Sequence, residues 1–164
     1  MPHLNLADHL AIRNLYASYT FAVDDHDVDG VAGCYTQDAS VEVSSFALMR
    51  VAMAAGKVPF VDDDGWVRGL SAIRQMTGAA PADVVLQHLC CNVEVLHIEG
   101  ACAAARAAFV VITNSGAVEH FGRYLDKLEK GSDGAWRFSE RRSVARYERD
   151  DTSWFDDAAA SHDG

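Results

Sequence analysis

The sequence predicts an α+β fold, in which a cone-shaped, curved antiparallel sheet is closed by N-terminal helices around one enclosed apolar pocket. Helix-forming patterns occupy the first half of the chain and strand-forming patterns occupy the second half. The last four strand segments are joined by connections too short for a crossover helix, so neighbouring strands must run antiparallel. A length of 164 residues with 49% hydrophobic residues is enough for one domain with its own core.

The first half begins with an amphipathic helix over residues 6–23, where apolar side chains recur every three to five positions without glycine or proline. An acidic turn follows, and a shorter helix is predicted over residues 28–35. Polar and apolar residues then alternate over residues 40–44, which indicates a strand. A further short helix is predicted over residues 69–76, where Gly78 helps to end it.

The segment over residues 46–66 carries conflicting signals. Residues 47–55 favour a helix, whereas Gly56 and the acidic run that follows favour a loop. We interpret this segment as a candidate lid over the pocket. Phe46 and Trp66, at its two ends, are therefore candidate substrate-binding residues.

The second half contains four β-rich segments separated by glycine-containing turns, which predicts a meander. These segments span residues 84–98, 101–113, 117–129 and 135–147. The domain is accordingly expected to cover residues 1–147. Residues 148–164 are acidic and lack a core-forming pattern, so we expect them to form a mobile tail.

The charge balance limits the classes of partner. Twenty-four acidic side chains against 14 basic ones give a net charge of −10, which repels the phosphate backbone of nucleic acids. No stretch has the length and apolarity of a membrane span, and the N-terminus does not resemble a signal peptide, so a cytoplasmic protein is expected. The four cysteines lack CxxC spacing and are interpreted as buried, reduced thiols.

Two residues are candidates for acid/base chemistry. Asp24 projects from the end of the first helix, where a carboxylate can enter a cavity beneath the helix, although Asp25 is an almost equal contender. His88 lies within an apolar strand run and is therefore expected to be at least partly buried. A buried imidazole oriented by a carboxylate makes a base that works near neutral pH, but a histidine satisfied within the core is the usual alternative.

Further candidates line the predicted pocket. Strand alternation places His120 and Tyr124 on one face, together with Asp126, and both could orient or protonate a substrate oxygen. The alternative for His120, which the sequence favours, is an exposed position beside the turn at Gly116. Arg106 stands alone among alanines and could bind an anion in the pocket, or instead form a salt bridge on the outer face.

Several chemistries have no sequence support. The chain has no GxSxG elbow, no phosphate-binding GxxxxGK[ST] loop, no GxGxxG and no HExxH helix. Its seven histidines are scattered without the spacing of a metal site. We therefore expect no metal and no cofactor.

The chain resembles the nuclear transport factor 2-like superfamily, and within it the SnoaL-like, scytalone dehydratase-like group. The resemblance covers residues 6–147 and implies a cystatin-like cone. It also implies that Asp24 and His88 form a catalytic pair. The matching segments are residues 11–24, 34–35 and 38–39, Gln87-His88, Gly122-Arg123-Tyr124 and residues 134–138 with Trp136-x-Phe138.

The resemblance implies a cofactor-independent dehydratase that acts on a cyclic, largely apolar hydroxy-carbonyl substrate such as a polyketide, steroid or aromatic-derived metabolite. Val23 stands where this group carries a tyrosine, so Tyr19, one turn earlier, is the candidate for the missing phenol. An isomerase or cyclase with the same pair is an alternative, as is a non-catalytic binding or assembly domain. An epoxide hydrolase would need a pocket arginine flanked by carboxylates, for which Arg106 is the obvious candidate. Relatives of this shape pack their sheets together, so we expect a homo-oligomer, either a dimer or a trimer.

Overall fold

A computed structural model describes residues 5–79 and 85–149. These residues form four helices and six strands. In chain order the elements are α1 (Leu6–Asp24), α2 (Val28–Gly33), β1 (Tyr35–Glu42), α3 (Ala47–Ala54), β2 (Trp66–Arg68), α4 (Gly69–Gly78), β3 (Leu86–Glu99), β4 (Cys102–Thr113), β5 (Val118–Lys130) and β6 (Trp136–Glu148).

The six strands form one sheet in the order β2-β1-β6-β5-β4-β3. Strands β3 to β6 are antiparallel neighbours, which confirms the predicted meander. Strand β1 instead runs parallel to β6. Nothing in the local sequence indicates that pairing, because the two strands are separated by most of the chain.

The sheet is curved, and bulges contribute to its curvature. The register of β3 against β4 shifts between Cys91 and Glu94, and Asn92 in that shift has a φ of 52°. A bulge of this kind bends a strand and increases its twist. The inner face of the curved sheet is therefore able to wrap around α1, which confirms the predicted α+β cone.

Helix α1 packs on the inner face of the sheet. Ile12, Leu15 and Tyr16 are buried along one side of the helix, as their spacing predicts. Near the first turn of α1, the carboxylate of Asp8 accepts hydrogen bonds from Nε1 of Trp136 at 2.9 Å and Nζ of Lys130 at 2.7 Å. These contacts fix the start of the helix to the last two strands.

The alanine-rich strand β4 leaves space under the helix. Ala105 and Ala107 point inward and are buried, and their small side chains leave the interior to larger neighbours. Across the sheet, Ala107 pairs with Tyr124, and Ala105 pairs with Asp126, which in turn pairs with Arg141. The low side-chain volume of β4 thus allows β5 and β6 to fill the interior with polar and aromatic groups.

Some predicted boundaries were wrong. The second helix ends at Gly33, before the predicted end at residue 35, and β1 begins at Tyr35 although the alternating pattern starts only at residue 40. The cause is tertiary, since Tyr35 pairs with Phe138 on β6. Within residues 46–66, the helix-like part forms α3 and the acidic part forms a loop before β2.

The predicted tail falls mostly outside the described residues. Strand β6 continues to Glu148, one residue into that tail, and residues 150–164 lie outside the described residues. No helix in the described part of the chain is long and apolar enough to cross a membrane.

Candidate active site

Asp24 and His88 are in direct contact. Oδ1 of Asp24 lies 2.7 Å from Nδ1 of His88. Both side chains are mostly buried, with 19% of Asp24 and 13% of His88 exposed. The structure thus brings together the two residues that the sequence singled out, although they are 64 positions apart.

The same carboxylate also binds the backbone of the strand. The backbone N–H of His88 donates to Oδ1 of Asp24 at 2.9 Å and to Oδ2 at 3.1 Å. Asp24 is the last residue of α1, whereas Asp25 caps the helix and is exposed. A carboxylate that accepts a hydrogen bond from Nδ1–H fixes the tautomer in which Nε2 carries no proton, which is the form required of a base.

A second histidine faces the same interior. His88 on β3 pairs with Val111 on β4, and Val111 pairs with His120 on β5, so the three side chains form one row on the inner face. The ring of His120 lies 5.2 Å from that of Phe46 and 5.9 Å from that of Phe109. Burial, together with a smaller effect of the neighbouring His88, lowers the pKa of His120 to about 4. His120 is therefore neutral at physiological pH and able to donate one hydrogen bond and accept another.

The tyrosines of the site lie on the helix and on β5. The ring centroid of Tyr19 is 6.2 Å from that of Tyr124, in an edge-to-face arrangement. Tyr124 also stacks on Phe109, with centroids 4.4 Å apart. Burial raises the pKa of Tyr124 well above its ordinary value, so its phenol keeps its proton. Together with Phe46, these residues give the site aromatic walls.

Two predicted substrate-binding residues lie elsewhere. Arg106 points to the outer face of β4, where its Nε lies 2.6 Å from Oε2 of Glu94. The guanidinium groups of Arg68 and Arg142 lie 5.6 Å and 5.5 Å from the ring centroid of Trp66, while its neighbour Val67 occupies the core. Both placements follow from strand alternation, because the inward positions belong to the adjacent residues.

A buried ion pair was not anticipated from the sequence. Asp126 accepts hydrogen bonds from Nε of Arg141 at 2.9 Å and from Nη2 at 3.0 Å, and both side chains are completely buried. The hydroxyl of Tyr16 donates to the same carboxylate. The sequence did contain a signal for this ion pair. The alternation of side chains along β5 places Asp126 on the inner face with His120, and a buried carboxylate requires a cation.

Metal or thiol chemistry has little support in the described parts of the chain. Within residues 5–79 and 85–149, no three His, Cys, Asp or Glu side chains are grouped so that they could hold a metal ion. The prediction that the four cysteines are all buried was wrong, since Cys91 and Cys102 are exposed on the outer side of their strands. Burial raises the pKa of Cys90, which faces inward, to about 12, so its thiol is not a nucleophile near neutral pH.

Comparison with known proteins gives a family and several solved structures of the same shape. The sequence model of the SnoaL-like domain matches residues 5–142. No curated protein matches the chain significantly. A protein of unknown function from Mycobacterium tuberculosis superposes with a TM-score of 0.73 at 24% identity, covering 96% of this chain and 95% of its own.

Two structures from Novosphingobium aromaticivorans DSM 12444 are similar as well. A proposed scytalone dehydratase superposes with a TM-score of 0.71 at 18% identity, covering 92% of each chain. The β subunit of a proposed aromatic-ring-hydroxylating dioxygenase superposes with a TM-score of 0.69 at 20% identity, covering 93% of this chain and 97% of its own. At these identities the similarity establishes the fold.

Proposed function

Because the chain belongs to the SnoaL-like domain family, we propose that it is a cofactor-independent dehydratase, with the contact between Asp24 and His88 as its catalytic centre. The substrate is a cyclic, largely apolar hydroxy-carbonyl compound such as a polyketide, a steroid or an aromatic-derived metabolite. The observation that carries the proposal is the 2.7 Å contact between Oδ1 of Asp24 and Nδ1 of His88 inside an aromatic-walled site.

The proton transfer begins at Nε2 of His88. This nitrogen removes a proton from the carbon next to the substrate carbonyl, and Asp24 stabilises the imidazolium that forms. The electron pair of the broken C–H bond forms a carbon–carbon double bond as hydroxide leaves the neighbouring carbon. The hydroxide takes up the proton that the His88 imidazolium gives back and departs as water, which regenerates the base, so the net change is the loss of one water molecule without an oxidant or reductant.

Polar groups on the aromatic walls assist the departure of that oxygen. Tyr19 on α1 is edge-to-face with Tyr124 on β5, and Tyr124 retains its proton because burial raises its pKa. His120, neutral at physiological pH, orients a substrate oxygen through its N–H group, while Phe46 contacts the substrate ring beside it. In a site with little water such donors stabilise developing negative charge strongly.

An isomerase or cyclase is the nearest alternative, because it shares the proton-removal step. The SnoaL-like family includes polyketide cyclases and dehydratases. In those reactions the carbanion is reprotonated or attacks a second carbonyl instead of expelling hydroxide. The same Asp24 and His88 would act in each case.

A binding or assembly role is supported by a different observation. The outer face of the sheet carries an apolar row across four strands, formed by Leu89, Val110, Phe121 and Tyr147. We propose that a second copy of the chain covers this face in a homo-oligomer, either a dimer or a trimer. The similarity to the β subunit of a proposed dioxygenase supports assembly through the same fold.

The catalytic proposal is tested with a panel of cyclic β-hydroxyketones such as 3-hydroxy-1-tetralone, whose loss of water is followed by absorbance. We expect His88→Ala to lower kcat/KM by about 10²- to 10⁴-fold, which is the usual contribution of a general base. Asp24→Asn should also lower it, because the amide can still accept the backbone N–H of His88 but carries no charge. His97→Ala is the matched control, since His97 is exposed on the same strand.

A second measurement separates the alternatives. Incorporation of deuterium from D₂O next to the carbonyl of 2-tetralone, lost in His88→Ala, combined with no loss of water from any β-hydroxyketone of the panel, would identify proton removal without dehydration and favour the isomerase or cyclase. Equal rates for the wild type and His88→Ala in both assays, or no activity in either, would contradict an enzyme based on this pair.

A further inference from the structure

Residues 44–65 leave the sheet after β1 and return to it at the same place. The backbone N–H of Val43 donates to the backbone oxygen of Gly65 at 2.9 Å, so the two ends of the segment are joined. Gly65 permits this closure, because a Cβ atom there would lie 2.4 Å from Cβ of Ser44. The segment is therefore a closed loop, and a part of it can open while its base stays in place.

The two halves of this segment are held differently. Residues 58–65 are anchored to the core through the buried side chain of Val58. In the other half, α3 makes little contact with the other helices and strands of the described chain. Among residues 47–54 Ala52 is the one buried residue, and Val51 is 66% exposed. Local opening is easiest where few apolar side chains are buried, so it should involve α3 and not the residues that follow it.

The inner side of α3 faces the proposed active site. The ring centroid of Phe46, the residue before the helix, lies 5.2 Å from that of His120 and 6.3 Å from that of Phe109. Met49, one turn along the helix, also packs against the core. A movement of α3 away from the sheet would therefore uncover His120.

A carboxylate from the last strand holds the beginning of α3. The backbone N–H of Ala47 donates to Oε2 of Glu148 at 2.6 Å. The first N–H groups of a helix have no partner within the helix, and Phe46, the N-cap residue, has no polar side-chain atom that could accept one. Glu148 supplies this cap from 101 positions away, and its charge interacts favourably with the helix dipole. Glu148 also pairs with His120 in the sheet, so the cap lies beside the site.

The residues on either side of α3 provide pivots for its movement. Before the helix, the hydroxyl of Ser45 donates to the backbone oxygen of Ser143 and accepts the N–H of Ala145 at 3.0 Å. Ser45 is thereby fixed to β6. After the helix, Gly56 has a φ of 68°, and a Cβ atom there would meet no atom within 4 Å. A glycine in open space changes its backbone angles at low cost, so the helix can turn about its two ends.

We propose that α3 is a lid over the His120 side of the proposed active site, that it opens to admit the substrate, and that the hydrogen bond from Ala47 to Glu148 is the latch that holds it closed. The inference rests on the proposed function, because the substrate is the one assigned to that site. Opening breaks one charge-assisted hydrogen bond and requires no unfolding of α1 or of the sheet. When the lid closes again, Phe46 separates His120 from bulk water.

The first experiment measures access to His120 without any substrate. Diethyl pyrocarbonate acylates neutral imidazole, and mass spectrometry follows the modification of His120 relative to that of the exposed His97. The proteins compared are the wild type, Glu148→Ala and Glu148→Gln. Glu140→Ala is the matched control, because Glu140 lies on the same strand and its carboxylate accepts from Nζ of Lys127 instead of from α3.

Glu148→Ala should raise the relative modification rate of His120 about fivefold, which is the usual effect of losing a helix N-cap on the opening equilibrium. Glu148→Gln keeps an acceptor but loses the charge, so its rate should lie between those of the wild type and Glu148→Ala. Glu140→Ala should react as the wild type does. Equal rates in Glu148→Ala and the wild type would overturn the proposal, as would a wild type in which His120 reacts as fast as His97.

Hydrogen exchange followed by mass spectrometry tests whether α3 moves independently. In the wild type the amides of residues 47–54 should exchange faster than those in the middle of α1. Glu148→Ala should accelerate exchange in α3 about fivefold and leave α1 unchanged, which also shows that the variant is folded. Equal acceleration of both helices would mean that Glu148 stabilises the whole fold, and it would contradict a latch.

Turnover of the β-hydroxyketone panel separates this inference from the proposed function. Loss of water catalysed by the wild type, with the same access to His120 in every variant, would leave the dehydratase standing and remove the lid. Access to His120 that depends on Glu148, without turnover of any compound, would leave a lid over the interior and remove the dehydratase.

Discussion

At the scale of single residues, Asp24 forms hydrogen bonds with both the imidazole and the backbone of His88. Its carboxylate binds Nδ1 of the ring and the N–H of the same residue. The end of α1 and strand β3 are thereby joined at the point where the proposed chemistry takes place. A displacement of the helix would move the carboxylate away from the base.

His120 makes stability depend on pH. Its pKa is about 4 in the folded protein and 6.5 in an unfolded chain, so the unfolded state takes up a proton first as the pH falls. The free energy of unfolding contributed by this residue is fully present above pH 6.5 and is lost between pH 6.5 and about 4. A shift of this size corresponds to about 3 kcal/mol at the acidic end of that window.

Urea unfolding at about pH 7.5 and about pH 4.5 tests this dependence. Between the two pH values the wild type is expected to lose about 2 kcal/mol more than His120→Gln, in which nothing titrates at this position. The exposed His97 serves as the control, and His97→Ala should lose as much as the wild type. Equal losses in the wild type and His120→Gln would show that His120 titrates normally in the folded protein.

At the scale of secondary-structure elements, Gly122 determines how closely β5 approaches β6. A Cβ atom at this position would lie 2.1 Å from the backbone oxygen of Val144 and 2.8 Å from Cζ of Phe109. The register of β5 against β6 shifts at the same place. Glycine therefore permits both the strand contact and the position of Phe109, whose ring stacks on Tyr124.

Gly122→Ala should lower the free energy of unfolding by about 1–3 kcal/mol, as expected for overpacking against rigid neighbours. Chemical denaturation followed by tryptophan fluorescence provides the measurement. Gly33→Ala is the matched control, because a Cβ there meets no atom within 4 Å and alanine favours the helix. If Gly122→Ala were as stable as Gly33→Ala, the close packing at β5 would not constrain the fold.

At the scale of the whole molecule, the inner and outer faces of the sheet carry different kinds of side chain. The inner face holds the proposed catalytic pair, the buried ion pair and the aromatic walls. The outer face exposes large apolar side chains, among them Leu89, Phe121 and Tyr147. Aligned apolar side chains on an exposed sheet face are typical of an interface between proteins.

Phe121→Lys tests the proposed homo-oligomer. A charge in the middle of the apolar row should be costly to bury against a second copy, so the variant is expected to sediment as a monomer while the wild type sediments as a dimer or trimer. Phe21→Lys is the matched control, since Phe21 is exposed on α1, away from the row. A monomeric wild type, or an unchanged oligomer in Phe121→Lys, would contradict the assignment of this face.

The sequence by itself determined the fold class and the residue types of the proposed site. Apolar periodicity and short turns are local features, so they predict α1 and the meander of β3 to β6 without knowledge of the tertiary structure. The family resemblance added the pairing of Asp24 with His88. Alternation along β5 further placed His120, Tyr124 and Asp126 on one face.

Only the tertiary structure decided which of the two neighbouring aspartates meets His88, because successive helix residues point about 100° apart and the phase depends on how α1 packs. It also decided the parallel pairing of β1 with β6, which joins residues far apart in sequence and is set by the order of strands in the sheet. The contact of Asp126 with Arg141 joins neighbouring strands, and the register of β5 against β6, which shifts beside Asp126, decides that these two side chains meet.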